Sequence, residues 1–237
     1  MNGGVLAVLM DTPSVLAGGT PANVYGRAGS TFFADHTPNS SVKDQTVTFG
    51  QFAFEENQTF TFNSRNGYGM SFGAAPVQGG NANTTLTNNL QGGAQLTFTG
   101  NFWSNTENTA ARTMTIGGNG NTTINGSIIA SSTTFDHVLS KSGTGTLTLL
   151  GTASTLDGAI NITGGTVAIS DRRAVTNNTA NININGGILS IIGNNATLAN
   201  LTFGKVINLS GTTGAATILA NQTGTSPGVI FSSDFTA

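Results

Sequence analysis

Gly145-Thr146-Leu147-Thr148-Leu149 and Gly165-Thr166-Val167-Ala168-Ile169 decide the fold of this chain. Each is a glycine followed by four residues in which small or polar side chains alternate with aliphatic ones. The shape returns downstream as Gly187-Ile188-Leu189-Ser190-Ile191 and is read upstream in Gly126-Ser127-Ile128-Ile129-Ala130. Successive glycines lie 19, 20 and 22 residues apart, by subtraction of their numbers. The last two copies share a longer frame, since Asn161-Ile162-Thr163-Gly164-Gly165 parallels Asn183-Ile184-Asn185-Gly186-Gly187. A period of about 20 residues is the length of one turn of a parallel β-solenoid, a fold in which no turn buries its own apolar face and stacking does so.

Alternation along a strand assigns the third and fifth positions to one side. Leu147/Leu149, Val167/Ile169 and Leu189/Ile191 are therefore the expected inward set, with Ile128/Ala130 the weakest copy. The head glycines Gly126, Gly145, Gly165 and Gly187 are expected to permit a positive φ or close approach of the next turn. Asparagines at aligned turn positions are expected to stack as amide ladders. Burying a Leu or Ile contributes about 1.5–3 kcal/mol, so several stacked turns offset their chain entropy where a single turn cannot.

Composition agrees. Charged residues are 8% of the 237, the formal net charge is −2, and hydrophobic residues are 37%. Thr favours strands while Asn and Gly favour tight turns. The 33 glycines follow no three-residue period and prolines number 5, which argues against collagen. Alternating hydrophobics and low net charge argue against disorder. The eight basic residues are scattered, with Arg172-Arg173 the one adjacent pair, so no footprint for nucleic acid is expected. No apolar run is long enough for a membrane-spanning helix, and Val5–Met10 is too short, and lacks a preceding basic residue, for a signal core. With no cysteine, disulfides are excluded.

The run Leu139-Ser140-Lys141-Ser142-Gly143-Thr144-Gly145-Thr146-Leu147-Thr148-Leu149, followed by Asp157-Gly158 and Asn161–Ile169, resembles the autotransporter-associated β-strand repeat, also called the passenger-associated transport repeat. That pattern is roughly Lys-x-Gly-x-Gly-Thr-Leu-x-Leu, a short loop with a glycine, then a strand ending in Gly-Thr-Leu. Arg112–Gly126 is similar to the segment that often precedes it. The close match covers about residues 112–170, with looser copies to about 211. It departs at Thr152–Leu156, where the family usually carries an aromatic before the glycine. The resemblance implies a right-handed parallel β-helix within a large secreted or surface-exposed bacterial protein; it implies no activity.

The chain divides into three stretches. Residues 1–44 read as a rung-like start, because Asn2-Gly3-Gly4-Val5-Leu6-Ala7-Val8 parallels Asn185–Ile191, and then as a loop-rich insertion holding Pro13, Pro21 and Pro38. Residues 45–111 alternate with aromatics (Phe49, Phe52, Phe54, Phe60, Phe62, Phe98) and read as strands continuous with the solenoid. Residues 112–237 are solenoid repeats. A start inside a rung and an end without a cap suggest a segment of a longer protein, or a subunit whose ends are covered by neighbours.

Chemistry is sparse. A glycosidase needs two carboxyl groups across the scissile bond. The best candidate set is Asp136, His137 and Asp157; Glu55-Glu56 would face opposite sides of a strand, and Asp171-Arg172-Arg173 reads as a solvated turn. Gly117-Gly118-Asn119-Gly120 lacks the aspartate of a calcium repeat, and His36 and His137 make no metal site. No cofactor is expected. Many Asn-x-Ser/Thr triplets occur, for example at Asn57, Asn121, Asn161 and Asn221, as chance gives in a chain rich in Thr and Asn. The sequence thus points to a non-enzymatic structural or adhesive surface protein, self-associating end to end or continuing in the same chain. The alternative is a passenger domain acting on polysaccharide, or binding surface glycans through exposed Phe or Trp103.

Overall fold

The computed structural model describes residues 1–15, 22–55, 57–74, 77–78, 83–103, 110–129, 135–156, 158–169, 181–193, 201–203, 207–209, 214–222, 229–231 and 235–236. Among them every regular element is a β-strand. The strands stack in parallel as a right-handed β-helix.

Two long walls run the length of the stack. The first has ten strands: Asn2–Leu9, Ala28–Asp35, Thr59–Ser64, Thr84–Asn89, Arg112–Gly118, His137–Lys141, Ile160–Ile162, Ile182–Ile184, Ile207–Leu209 and Phe235–Thr236. The second has nine: Ser14–Val15, Thr46–Thr48, Gly69–Phe72, Gln95–Phe98, Asn121–Ile124, Thr146–Leu149, Thr166–Ile169, Ile188–Gly193 and Thr217–Gln222. A third wall of Val24–Gly26, Phe52–Glu55 and Val77–Gln78 closes the N-terminal turns, and Leu201–Phe203 pairs with Val229–Phe231 near the other end.

Alternation along each strand fills the interior. Leu86, Ile116, Ile162 and Ile184 point inward from the first wall and Leu147, Val167 and Leu189 from the second, none more than 1% exposed. In the N-terminal turns the filling is aromatic. Phe32 stacks on Phe62 at 5.1 Å, Phe49 on Phe72 at 4.6 Å, and Phe52 of the third wall meets Phe32 edge-on at 5.3 Å. Such geometries add about 0.5–1.5 kcal/mol per pair beyond burial.

The stretch read as a loop-rich insertion contains an eight-residue strand, Ala28–Asp35, which pairs with Asn2–Leu9 on one side and Thr59–Ser64 on the other. The adjacent Phe32-Phe33 hides its alternation in the sequence: Phe32 is buried, while Phe33 faces out beneath the Arg65 guanidinium, 5.7 Å from its ring. The rung-like start is a strand, with Leu6 and Val8 turned toward the core as expected. It lies, however, in the first wall, against Ala28–Asp35, and not in the wall of Ile188–Ile191 that it parallels in sequence.

Candidate functional site

Most of the repeat glycines and their strands fall in register. Leu147 pairs with Val167 and Val167 with Leu189; Leu149 pairs with Ile169 and Ile169 with Ile191. All six are at most 1% exposed. A Cβ on Gly145 would lie 2.1 Å from the Gly120 carbonyl oxygen, and one on Gly165 would lie 2.4 Å from that of Gly145. Each turn therefore rests its strand entry on the turn before it, and no side chain fits between.

Gly126 is the exception and needs correction. The strand pairing with Thr146–Leu149 is Asn121–Ile124, with Thr122 opposite Leu147 and Ile124 opposite Leu149. The entry glycine of that turn is Gly120. Gly126 belongs to the strand exit, where its Cβ would meet the Gly100 carbonyl at 2.2 Å, and a Cβ on Gly151 would meet that of Gly126 at 2.5 Å. The turn is thus 25 residues from Gly120 to Gly145, by subtraction, not the 19 read from Gly126. Ile128 is buried, but through an isolated bridge to Phe102; Ala130 lies outside the described residues.

The corner between the first and second walls is held by inward polar groups at the ends of first-wall strands. Asp35 accepts hydrogen bonds from the His36 amide at 2.8 Å and the Asn66 side chain at 2.7 Å. Ser64 accepts from the Gln91 amide at 3.3 Å. Asn88, fully buried, accepts from the Leu90 amide at 3.0 Å and donates to the Asn121 carbonyl at 2.8 Å. Lys141 is 2% exposed and donates to the Ser142 carbonyl and, at 3.3 Å, to that of Gly143. These groups satisfy turn backbone that would otherwise be stranded away from water. Burial lowers the Lys141 ammonium to about 8. In the sequence Lys141 stands in the repeat motif with no role of its own; its signal there is a lysine in phase with the inward residues Ile116 and Ile162.

The asparagine ladder exists, but on the outer face of the first wall rather than at turns. Asn183 donates to Asn161 and Asn208 to Asn183, both at 2.7 Å. Asn161 is thereby engaged, and Asn121 accepts from the Thr146 amide at 3.0 Å. Asn121 and Asn161, both in Asn-x-Thr triplets, thus serve the stack.

The candidate set for the alternative, enzymatic reading is not assembled among the described residues. Asp136 is exposed, while His137 is fully buried with its ring 5.7 Å from that of Trp103. Asp157, Glu56, Asp171, Arg172 and Arg173 lie outside the described residues. Glu55 instead accepts from the Tyr25 hydroxyl at 3.2 Å and sits 3.9 Å from Arg27. No group of three metal-ligating side chains occurs among the described residues. Trp103 and the phenylalanines at 49, 52, 54, 60, 62 and 98 are buried, which removes them as a glycan platform. Among the described residues no helix is long and apolar enough to cross a membrane. An open trough of about 350 Å³ lies at the corner, lined by four glycines (Gly67, Gly69, Gly92, Gly93) with Asp44, Thr46, Ala94 and Gln95.

No family model matches this chain, and neither a curated protein nor a solved structure matches it.

Proposed function

We propose that the chain is a structural or adhesive extracellular surface protein, either a segment of a larger repeat protein or a subunit of a fibre. The supporting observation is the disposition of its polar chemistry. The titratable side chains in the first-wall strands, Asp35, Arg112, His137 and Lys141, are all buried. Asp35 and Lys141 hold turn backbone instead of facing a cleft. The resemblance of Lys141–Ile169 to the autotransporter-associated repeat supports export. This reading gives the chain no catalytic step.

The strand Asn2–Leu9 supports end-to-end stacking. Among the described residues it pairs on one side only, Leu6 and Val8 are partly covered, and Val5 is 67% exposed. Such an edge accepts a further turn, from the same chain or from a second copy. Proteolysis of intact producing cells tests the location: removal of the chain while cytoplasmic markers survive is expected, and full protection overturns the reading. Sedimentation of the purified chain over a range of concentrations tests stacking; oligomers that dissolve on Leu6→Lys are expected, and a monomer throughout removes the fibre form.

The trough beside Asp44 favours a second reading, a glycan-binding module with Asp44, Thr46 and Gln95 as hydrogen-bonding groups. Binding on a glycan array that is lost on Gln95→Ala is expected; an array without binding excludes it.

A further inference from the structure

The outer face of the first wall carries two adjacent columns of threonine. Thr59, Thr85 and Thr115 follow one another in register, and so do Thr31, Thr61 and Thr87 in the next column. Ser140 and Asn161 extend the first column. Neighbouring strands lie about 4.8 Å apart, and residues two apart along a strand lie roughly 6.6 Å apart, so these hydroxyls form a two-dimensional lattice. All six threonines are exposed or half-exposed.

Three further properties narrow what such a lattice can hold. It is stiff: Thr is restricted at χ1 by its β-branch, and the strands beneath are paired on both sides. The strands give it no charge, because their four titratable side chains all turn inward, and Arg65, just past the end of Thr59–Ser64, lies at the rim over Phe33. Strand propensity accounts for threonine on a solvated sheet but not for the exclusion of Lys and Glu, which normally keep such faces soluble and apart. Of the rings on these strands, Phe33 stands at the rim of the lattice and is capped by the Arg65 guanidinium 5.7 Å away, while Phe32, Phe60 and Phe62 point into the core, so the threonine columns themselves offer no ring for a sugar to stack on.

We propose that this face binds ice through Thr31, Thr59, Thr61, Thr85, Thr87 and Thr115. An ice surface is itself an uncharged, periodic array of hydroxyl donors and acceptors. Each threonine hydroxyl can both donate and accept, so either orientation of a lattice water is satisfied. The methyl groups hold the intervening water without competing for its hydrogen bonds. A charged side chain would bind a hydration shell of its own and break the repeat. The inference is independent of the adhesive reading.

The purified chain is tested by partition into slowly grown ice and by ice-grain coarsening in a frozen slurry. Wild type is expected to enter the ice and to arrest coarsening. Thr61→Lys with Thr87→Lys is expected to raise the concentration needed by about tenfold or more. Thr61→Val with Thr87→Val, which keeps shape and strand preference, covers the case in which the lysines unfold the wall, and a several-fold loss is expected. Thr123→Lys, on the outer face of the second wall, is expected to leave activity unchanged. The proposal is overturned if wild type stays in the liquid as an inert protein does, or if Thr123→Lys costs as much as the first-wall variants. Binding to crystalline cellulose or chitin without entry into ice overturns it as well.

Discussion

In the turns spanning residues 24–98 three walls surround a core of phenylalanine, whereas the described residues from 137 to 191 form two walls around Leu, Ile and Val. Turn length follows. In the first wall the register steps by 30 residues from Thr31 to Thr61 and 26 from Thr59 to Thr85, but by 21 from Leu139 to Ile160 and 22 from Ile160 to Ile182, by subtraction. Rings need a wider cross-section, and the extra residues of the longer turns build the wall that closes it. Branched aliphatics fill the shorter turns, where the third side is carried by backbone contacts such as that of the Thr155 amide with the Ile128 carbonyl and, among the described residues, not by a strand. Cross-section and side-chain volume are thus set together, turn by turn, as close packing requires.

Emptying the wide section is expected to have the largest effect. Phe62 touches Phe32, Phe52 and Phe72, so Phe62→Ala should cost about 3–5 kcal/mol in denaturant unfolding. Overfilling the narrow section comes next. Leu147→Phe puts a ring between Thr122 and Val167, and a cost of about 1–3 kcal/mol is expected, whereas Leu96→Phe in the aromatic half should be better tolerated. Equal costs for the two would break the link between section and side chain.

Lys141 makes the two sections respond differently to pH. Its folded value of about 8 lies below the ordinary 10.5, so the folded chain releases this proton first. Stability should therefore rise with pH between about 8 and 10, by on the order of 1–2 kcal/mol. Above 10 the trend should reverse, because burial raises the hydroxyls of Tyr25 and Tyr68 in the aromatic half. Thermal unfolding of Lys141→Met is expected to lose the rise between pH 8 and 10 and keep the later fall. Asn183→Ala, which removes the middle of the amide ladder, should have the smallest effect, about 1 kcal/mol.

The narrow section was legible in the sequence because its turns are short and nearly equal. Leu147, Val167 and Leu189 repeat at intervals close enough for alternation and glycine spacing to align them. The wide section was legible only as strands. Its turns vary in length and a third wall intervenes, so no single period connects Phe32, Phe62 and Phe98. Gly126 was misplaced for the same reason: it stands just past a strand, yet Ser127-Ile128-Ile129 imitates the entry of one. Lys141 and Asn88 escaped because polar residues at inward phase resemble surface residues until the corner they hold is visible. The threonine columns depend on register between turns of unequal length, which alternation within one strand does not provide.

One register runs through the change of section, with Asn121–Ile124 lying beside Thr146–Leu149. The chain has no cysteine, so an introduced pair reports without background. Thr123→Cys with Thr148→Cys places two outward side chains on paired positions of adjacent strands, where a disulfide can close. Oxidation should crosslink this pair and leave Ile129→Cys with Thr148→Cys open. The reverse, a crosslink through residue 129 and none through 123, would restore the 19-residue turn and contradict the account.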